Sequence, residues 1–317
     1  MCFTESWEFD KTGNWLQFNK NGTIENRTHN ASNEIQGIAT HDKNGNMTVM
    51  PGQKGTYDAW NRLVEVRDTS DHLIARYDYN GLNQRIKKTA GSVVTTSFFN
   101  EDWQELESVT NNQLTAYVWG KRYVDDLVLR DNGSERLYSL ADPNWNVVAT
   151  TDASGVVQER MKYDAFGKVT WLDASFATKA NSNYVWNRTF TGQVLDAETG
   201  LMLYRGRYYH TGLGRFINRD PIEYLAGDTN LYRYVGKKAP LFVKNRRIWS
   251  DTTKRLREME LLEAPKSKYR NERYTRCECL QTEDGTIGGN PLVLFGCRCL
   301  CGGVGIASCL ISHRLPK

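Results

Sequence analysis

The chain has 317 residues, of which 25% are charged and 39% hydrophobic. That is length for one large domain or two ordinary ones, and apolar enough to bury a core, which excludes wholesale disorder. The formal net charge is +4, from 41 Lys and Arg against 37 Asp and Glu, too mild to point to a nucleic acid as partner. Aromatic residues stand out instead: 9 Trp, 16 Tyr and 11 Phe, beside only 7 Pro.

No basic start followed by an apolar run occurs within Met1–Met50, so no secretory signal peptide is expected. A cytoplasmic location is expected if the chain stands alone. A secreted or cell-surface one is expected if it is part of a larger system.

Along the body, helical periodicity is hard to find and short alternating runs dominate. "RLVEVRD" (Arg62–Asp68), "HLIARYDY" (His72–Tyr79) and "GVVQERMKYD" (Gly155–Asp164) read as strands with one buried face. Between such runs come turn clusters, among them "DKTGN", "DKNGN", "DTSD", "DPNWN" and "DASG". Asp and Asn close turns by bonding their own backbone, and Gly takes the positive φ a hairpin turn needs.

The hairpins repeat. "FDKTGNW" starts at Phe9, "HDKNGNM" at His41, "YDAWNRL" at Tyr57, "YDYNGLNQR" at Tyr77 and "YDAFGKV" at Tyr163. Each has a ring, then Asp, then a turn with Gly or Asn, then a return strand. The ring is expected to cover one hairpin's apolar face while the Asp ties the next turn. One hairpin alone is marginal in water, so the units must stack. The predicted class is all-β, built of stacked antiparallel hairpins.

These units resemble the YD repeats of RHS proteins. The match sharpens at "FTGQVLDAETGLMLYRGRYYHTGLGRFINRDPIEYLAGDTNLYRYVG" (Phe190–Gly236), which resembles the RHS repeat-associated core domain. The ordered pieces are "FTGQ" at Phe190, "ETGL" at Glu198, "RGRYYH" at Arg205, "GRF" at Gly214, "RDP" at Arg219 and "NLYRYV" at Asn230. The resemblance implies repeats that coil into a β-sheet shell, a core domain that plugs one end, and a variable C-terminal region, often a toxin, held inside. It places the chain beside polymorphic toxins, wall-associated proteins and insecticidal toxin components. The remaining shell segments, an immunity protein for the tail and a glycan are the partners it implies. The implied layout is hairpins over 1–136, core domain over 137–243 and variable tail over 244–317, a partial shell with a small, partly helical, Cys-rich tail.

In that family the core domain can cut itself from its cargo through two Asp residues, one acting as base and the other as acid. The first position corresponds to Asp220, preceded by Arg219 and followed by Pro221. At the second, Lys244–Asn245 stand where Asp–Pro belongs. A lone carboxylate cannot fill both roles, so Arg219 and Asp220 are vestigial protease candidates and the chain is expected not to cleave itself. The leading expectation is a non-enzymatic scaffold that encloses or presents its C-terminal region. An autoproteolytic toxin carrier and a surface carbohydrate-binding module are the alternatives. For the last, Trp60, Trp103, Trp119, Trp145, Trp171 and Trp186 are candidate platforms for sugar rings. The competing reading is that they pack on sheet faces.

The tail differs in composition. Gly236–Lys317 holds 16 Lys and Arg against 8 Asp and Glu, while the preceding 235 residues hold 25 against 29. Six of the seven cysteines lie there. "SDTTKRLREMELLEA" (Ser250–Ala264) reads as a helix ended by Pro265. Cys277, Cys279, Cys297 and Cys299 are candidate zinc ligands; disulfides and free thiols compete, because C-x-C is less specific than C-x₂-C. No other cofactor is expected. Residues 292–311 carry one charge, Arg298, and have the length of a membrane span; a buried hairpin is the rival reading.

Overall fold

The computed structural model describes residues 5–234 and, further on, the backbone of five strand segments between residues 278 and 310. The chain divides into two compact units, Met1–Arg255 and Leu256–Lys317. The first opens with a three-stranded sheet, β1 (Glu5–Phe9), β2 (Trp15–Lys20) and β3 (Thr23–Asn26). The short pair β4 (Thr28–His29) and β5 (Ile35–Gln36) follows.

Fifteen strands then form one sheet. They are β6 (Thr40–His41), β7 (Met47–Met50), β8 (Gln53–Tyr57), β9 (Leu63–Asp68) and β10 (Leu73–Tyr79). Next come β11 (Arg85–Ala90), β12 (Val93–Phe99), β13 (Glu105–Thr110), β14 (Gln113–Trp119) and β15 (Leu127–Asp131). The last are β16 (Arg136–Ala141), β17 (Val147–Thr151), β18 (Val157–Tyr163), β19 (Val169–Asp173) and β20 (Thr178–Lys179). Their spatial order is their sequence order, so every strand pairs with its chain neighbours. No α-helix occurs among the described residues.

One device makes this regularity. Among the described residues, eleven five-residue turns begin with Asp or Asn, and in each the first side chain accepts the backbone N–H of the third and fifth residues. Asp58 does so from Trp60 and Arg62 (2.9 and 3.0 Å), and Asn80 from Leu82 and Gln84 (3.0 and 2.9 Å). The first N–H donates to the fifth carbonyl and the fourth N–H back to the first carbonyl, as at Asp58–Arg62 (3.0 Å each). The fourth residue always has positive φ. Gly45 and Gly167 take that conformation freely, Asn61 and Asn83 at small cost, and Trp103, Trp145 and Phe176 against steric preference. The fifth residue reaches the next turn: Asn46 donates to Asn61 (2.8 Å), Gln84 to the Asn100 carbonyl (3.4 Å) and Gln104 to the Val124 carbonyl (3.0 Å).

Before three of these turns a tyrosine fastens its strand to the preceding one. The hydroxyls of Tyr57, Tyr79 and Tyr163 donate to the carbonyls of Met47, Leu63 and Val147 (3.0, 2.7 and 2.6 Å). In the repeat that begins at Tyr77, the working pair is Tyr79–Asn80, two residues on. Asp78 lies inside β10 opposite Lys87, and Tyr77 is buried. Asn can tie the turn because its Oδ1 accepts the same two N–H groups as a carboxylate oxygen.

A sheet this wide curls or flattens. Here it curls about a small four-stranded sheet, β21 (Val194–Asp196), β22 (Leu201–Tyr204), β23 (Arg207–His210) and β24 (Arg215–Phe216). One core cluster joins Met47, Leu63, Val66 and Tyr77 of the wall to Leu201, Leu203 and Tyr208 of this plug. A second unites Leu127, Leu137, Val147, Met161 and Trp171 with Trp186 and Leu195. The N-terminal sheet joins the far end of the wall: Trp7 and Trp15 pack edge-on against Phe166 (5.3 and 4.4 Å between centroids).

In the second unit the described strands are β25 (Glu278–Gln281), β26 (Gly285–Ile287), β27 (Asn290–Leu292), β28 (Phe295–Leu300) and β29 (Ile306–Leu310). Within 292–311, β28 and β29 form an antiparallel pair rather than a helix. Among the described residues no helix is long and apolar enough to cross a membrane. The expected helix at Ser250–Ala264 lies outside the described residues.

Candidate functional site: a bolted plug and the exit of the chain

The pieces of the Phe190–Gly236 motif meet the wall and the N-terminal sheet at several points. In the first piece, Thr191 N–H donates to Asn146 Oδ1 (2.9 Å) and Gln193 Nε2 to Asp125 Oδ2 (2.8 Å). Gln53 Nε2 donates to the Thr199 carbonyl (2.7 Å). Arg205 pairs with Asp125 (2.7 Å), and Tyr209 donates to the Phe166 carbonyl (3.0 Å). Further on, Asn230 donates to Asn14 (2.8 Å) and Tyr232 to the Gly45 carbonyl (2.7 Å). The recurrent side chains of the motif are thus bolts.

Several bolts are buried charges. Asp196, fully buried on the plug, pairs with Arg85 and with Lys88 (3.2 Å) on β11. Lys88 also meets Glu198 (2.9 Å), and Arg85 donates to the Tyr208 hydroxyl (2.7 Å). Burial pushes the Asp196 carboxyl up, but the Arg85 and Lys88 charges outweigh it and hold the group below the ordinary carboxylate value. On the neighbouring wall, Glu105 of β13 meets Arg188 (2.6 Å), whose guanidinium lies over Trp119 (5.2 Å). Trp119 Nε1 donates to the Glu105 carbonyl (2.7 Å), so this indole takes the place of a repeat tyrosine.

The candidates taken from the protease motif are part of the same fastening. Asp220 faces Arg207 (3.1 Å) and accepts Ile222 N–H (3.0 Å). Arg207 is buried, stacks on Phe216 (3.6 Å) and is pushed down to about 10 by burial, with Asp220 opposing the shift. Arg219 turns away to Glu34 (2.8 Å) and the Tyr232 hydroxyl (3.2 Å). Asp228, the other nearby acid, pairs with Arg233 (2.5 Å). Lys244–Asn245 lies outside the described residues.

The described part of the plug ends in an aromatic box. Tyr234 packs against Tyr209 (4.5 Å), Tyr204 (5.4 Å), Phe190 and Phe216 (6.0 Å each). Its hydroxyl is 2.9 Å from that of Tyr204, which is 2.9 Å from Thr191 Oγ1. The chain therefore leaves toward the tail from an anchored point.

The tryptophans divide. Trp171 and Trp186 are buried, Trp145 stacks on Tyr123 (4.9 Å), and Trp103 occupies a positive-φ turn position. Trp60 is the one exposed tryptophan among the described residues, at 75%, beside Arg62 (5.0 Å). Of the tail cysteines, Cys279 stands in register with Cys297 and Cys297 with Cys309, while Cys299 stands opposite Ala307. Cys277 lies outside the described residues.

A many-stranded meander curled about a four-stranded plug defines a β-shell protein. Residues 3–240 match the Teneurin YD-shell family, and the chain belongs to it. It is 30% identical over 220 residues to the tRNA3(Ser)-specific nuclease WapA of Bacillus spizizenii, across 66% of this chain and 9% of that protein. It is 28% identical over 225 residues to the double-stranded DNA deaminase toxin A of Burkholderia cenocepacia, across 62% and 15%. The shell fold is that of the crystal structure of TcdB2-TccC3-Cdc42, at TM-score 0.57 and 20% identity over 73% of this chain and 13% of that one. The Photorhabdus luminescens Tc holotoxin pore matches at TM-score 0.54 and 19% identity, over 73% and 12%. The chain thus spans under a sixth of each of these proteins.

Proposed function

We propose that this chain is a shell scaffold that encloses or presents its C-terminal region and does not cleave itself. One observation carries the reading: between Thr191 and Tyr232 the plug is bolted repeatedly to the wall and the N-terminal sheet, and the chain runs on from the Tyr234 box. Self-cleavage has little behind it, because the Asp220 carboxylate is paired with Arg207. A lone carboxylate cannot serve as both acid and base, and Lys244–Asn245 stand where the second Asp–Pro belongs. The names of the relatives, a nuclease and a deaminase toxin, favour a toxic cargo as the class of C-terminal region. Further shell segments are the partners such a short wall calls for.

The intact mass of the purified full chain tests the reading. The uncut mass is expected; a stable product ending near Ile248 overturns it. Slowed growth of bacteria expressing the full chain, set against growth with Asp196→Ala, reports on a confined cargo: loosening the plug is expected to raise toxicity. Zinc bound by the tail cysteines is a separate proposal, tested by the metal content of the chain after dialysis. A glycan platform has the least support, since burial takes Trp171 and Trp186 out of reach and leaves Trp60.

A further inference from the structure

One cavity in the first unit is distinguished by its charge. It lies between the N-terminal sheet, β24 and the segment before Tyr234, measures about 20 Å³, and is lined by Asn14, Trp15, Arg27, His29, Arg215 and Arg233 among others. A space of that size holds one water-sized particle and is too small for sulfate or phosphate. Three guanidinium groups share its wall. Arg233 pairs with Asp228 (2.5 Å), and Arg27 pairs with Glu25 (2.6 Å), whose side chain is 47% exposed.

Arg215 is different. It is 6% exposed, and no carboxylate pairs with it among the described residues. One terminal nitrogen donates to the Asn33 carbonyl, and the guanidinium lies over the Tyr232 ring (4.8 Å). Its Nε has no hydrogen-bond partner, and neither has the buried Nδ1 of His29. A buried cation without a counter-charge is costly, and so is a buried donor without an acceptor. Burial pulls Arg215 down to about 10 and His29 down to about 4; Arg27 adds to both shifts by repulsion, and the Asp10 carboxylate opposes both without forming an ion pair with either.

We propose that this cavity binds a single halide-sized monovalent anion, chloride in ordinary solution, which supplies the counter-charge of Arg215. The Nε–H of Arg215 donates to the anion, and His29 donates in the tautomer that carries its proton on Nδ1. The neighbours of the site explain its structural effect. Arg27 donates to the carbonyls of Leu213 and Gly212 (3.0 and 3.1 Å), and Arg215 forms a backbone bridge with Arg233. An anion here ties the N-terminal sheet, the plug and the strand leading to the exit.

The test is thermal unfolding of the full chain in chloride and in gluconate at equal ionic strength, with bromide used in crystals. A saturable rise in Tm with chloride, none with gluconate, and an anomalous bromide peak beside Arg215 Nε are expected. In a folded Arg215→Gln variant the chloride-dependent rise disappears. Equal Tm in the two salts, or bromide crystals without a peak in the cavity, overturn the proposal. Both readouts use the natural chain, so the proposal does not depend on the variant folding.

Discussion

The two flanks of the wall and its middle are held to the plug by different chemistry. Strands β7–β10 and β15–β19 supply Met47, Leu63, Tyr77, Leu137, Met161 and Trp171 to apolar clusters. Strands β11–β13 supply no member of any cluster. Their inner positions are polar, with Thr95 hydrogen-bonded to Thr110 (2.9 Å), and they meet the plug through Arg85, Lys88 and Glu105. The outer face does not follow this division. Two residues before the turn, β12, β14 and β16 expose Phe98 (52%), Val118 (48%) and Leu140 (47%), where other hairpins carry Thr56, Asp78 and Lys162. A repeat with one turn geometry thus leaves each face free to vary.

The comparison can be broken at its charged middle. Asp196→Ala leaves Arg85 and Lys88 buried without their acid and is expected to cost about 3–5 kcal/mol, read by urea unfolding. Combining Asp196→Leu with Arg85→Met and Lys88→Met, which gives the middle the chemistry of the flanks, is expected to recover most of that loss.

Acid sharpens the same contrast. Burial and the nearby Arg27 charge hold His210 down at about 4, against 6.5 when unfolded. Below pH 6.5 the unfolded chain takes up a proton that the folded chain refuses until about pH 4. Stability is therefore full above pH 6.5 and falls toward pH 4, by up to roughly 3 kcal/mol for this group. His210→Gln is expected to flatten that part of a stability–pH curve. The Asp196 pair, its carboxyl held low, is expected to persist through the same window.

Two smaller effects concern the repeat itself. Asp58→Ala removes the acceptor of two turn N–H groups and the ion-pair partner of Arg62 at a half-buried site and is expected to cost about 1–2 kcal/mol, seen as a lower Tm. Phe98→Ser on the outer face is expected to change stability by less than about 0.5 kcal/mol, the mark of a residue outside the core.

Much of the repeat was legible because its rule is local. Tyr57–Asp58 and Tyr163–Asp164 show ring and acid side by side, and the structure uses both as the pattern implies. Where Asn replaces Asp, as at Asn80 and Asn100, the same turn hides behind a different letter. Trp119 hides likewise, since an indole N–H can replace a phenol as donor. The order of the core motif foretold a plug but not its bolts. Arg85 and Asp196 are 111 residues apart, and nothing in either neighbourhood names the other. The cavity beside Arg215 was equally hidden, because it draws on the N-terminal sheet, β24 and the exit segment at once.

The sequential order of the wall strands has a consequence for biosynthesis. Each hairpin finds its partner in what has just left the ribosome, so the sheet can zip up with little loop-closure entropy. The plug cannot join until it is made, and its contacts reach far back: Leu213 to Arg27, 186 residues away, and Asn230 to Asn14, 216 away. Until then the inner side chains of Met47, Leu63 and Tyr77 lack their cover, a window in which a nascent or truncated chain is prone to aggregate.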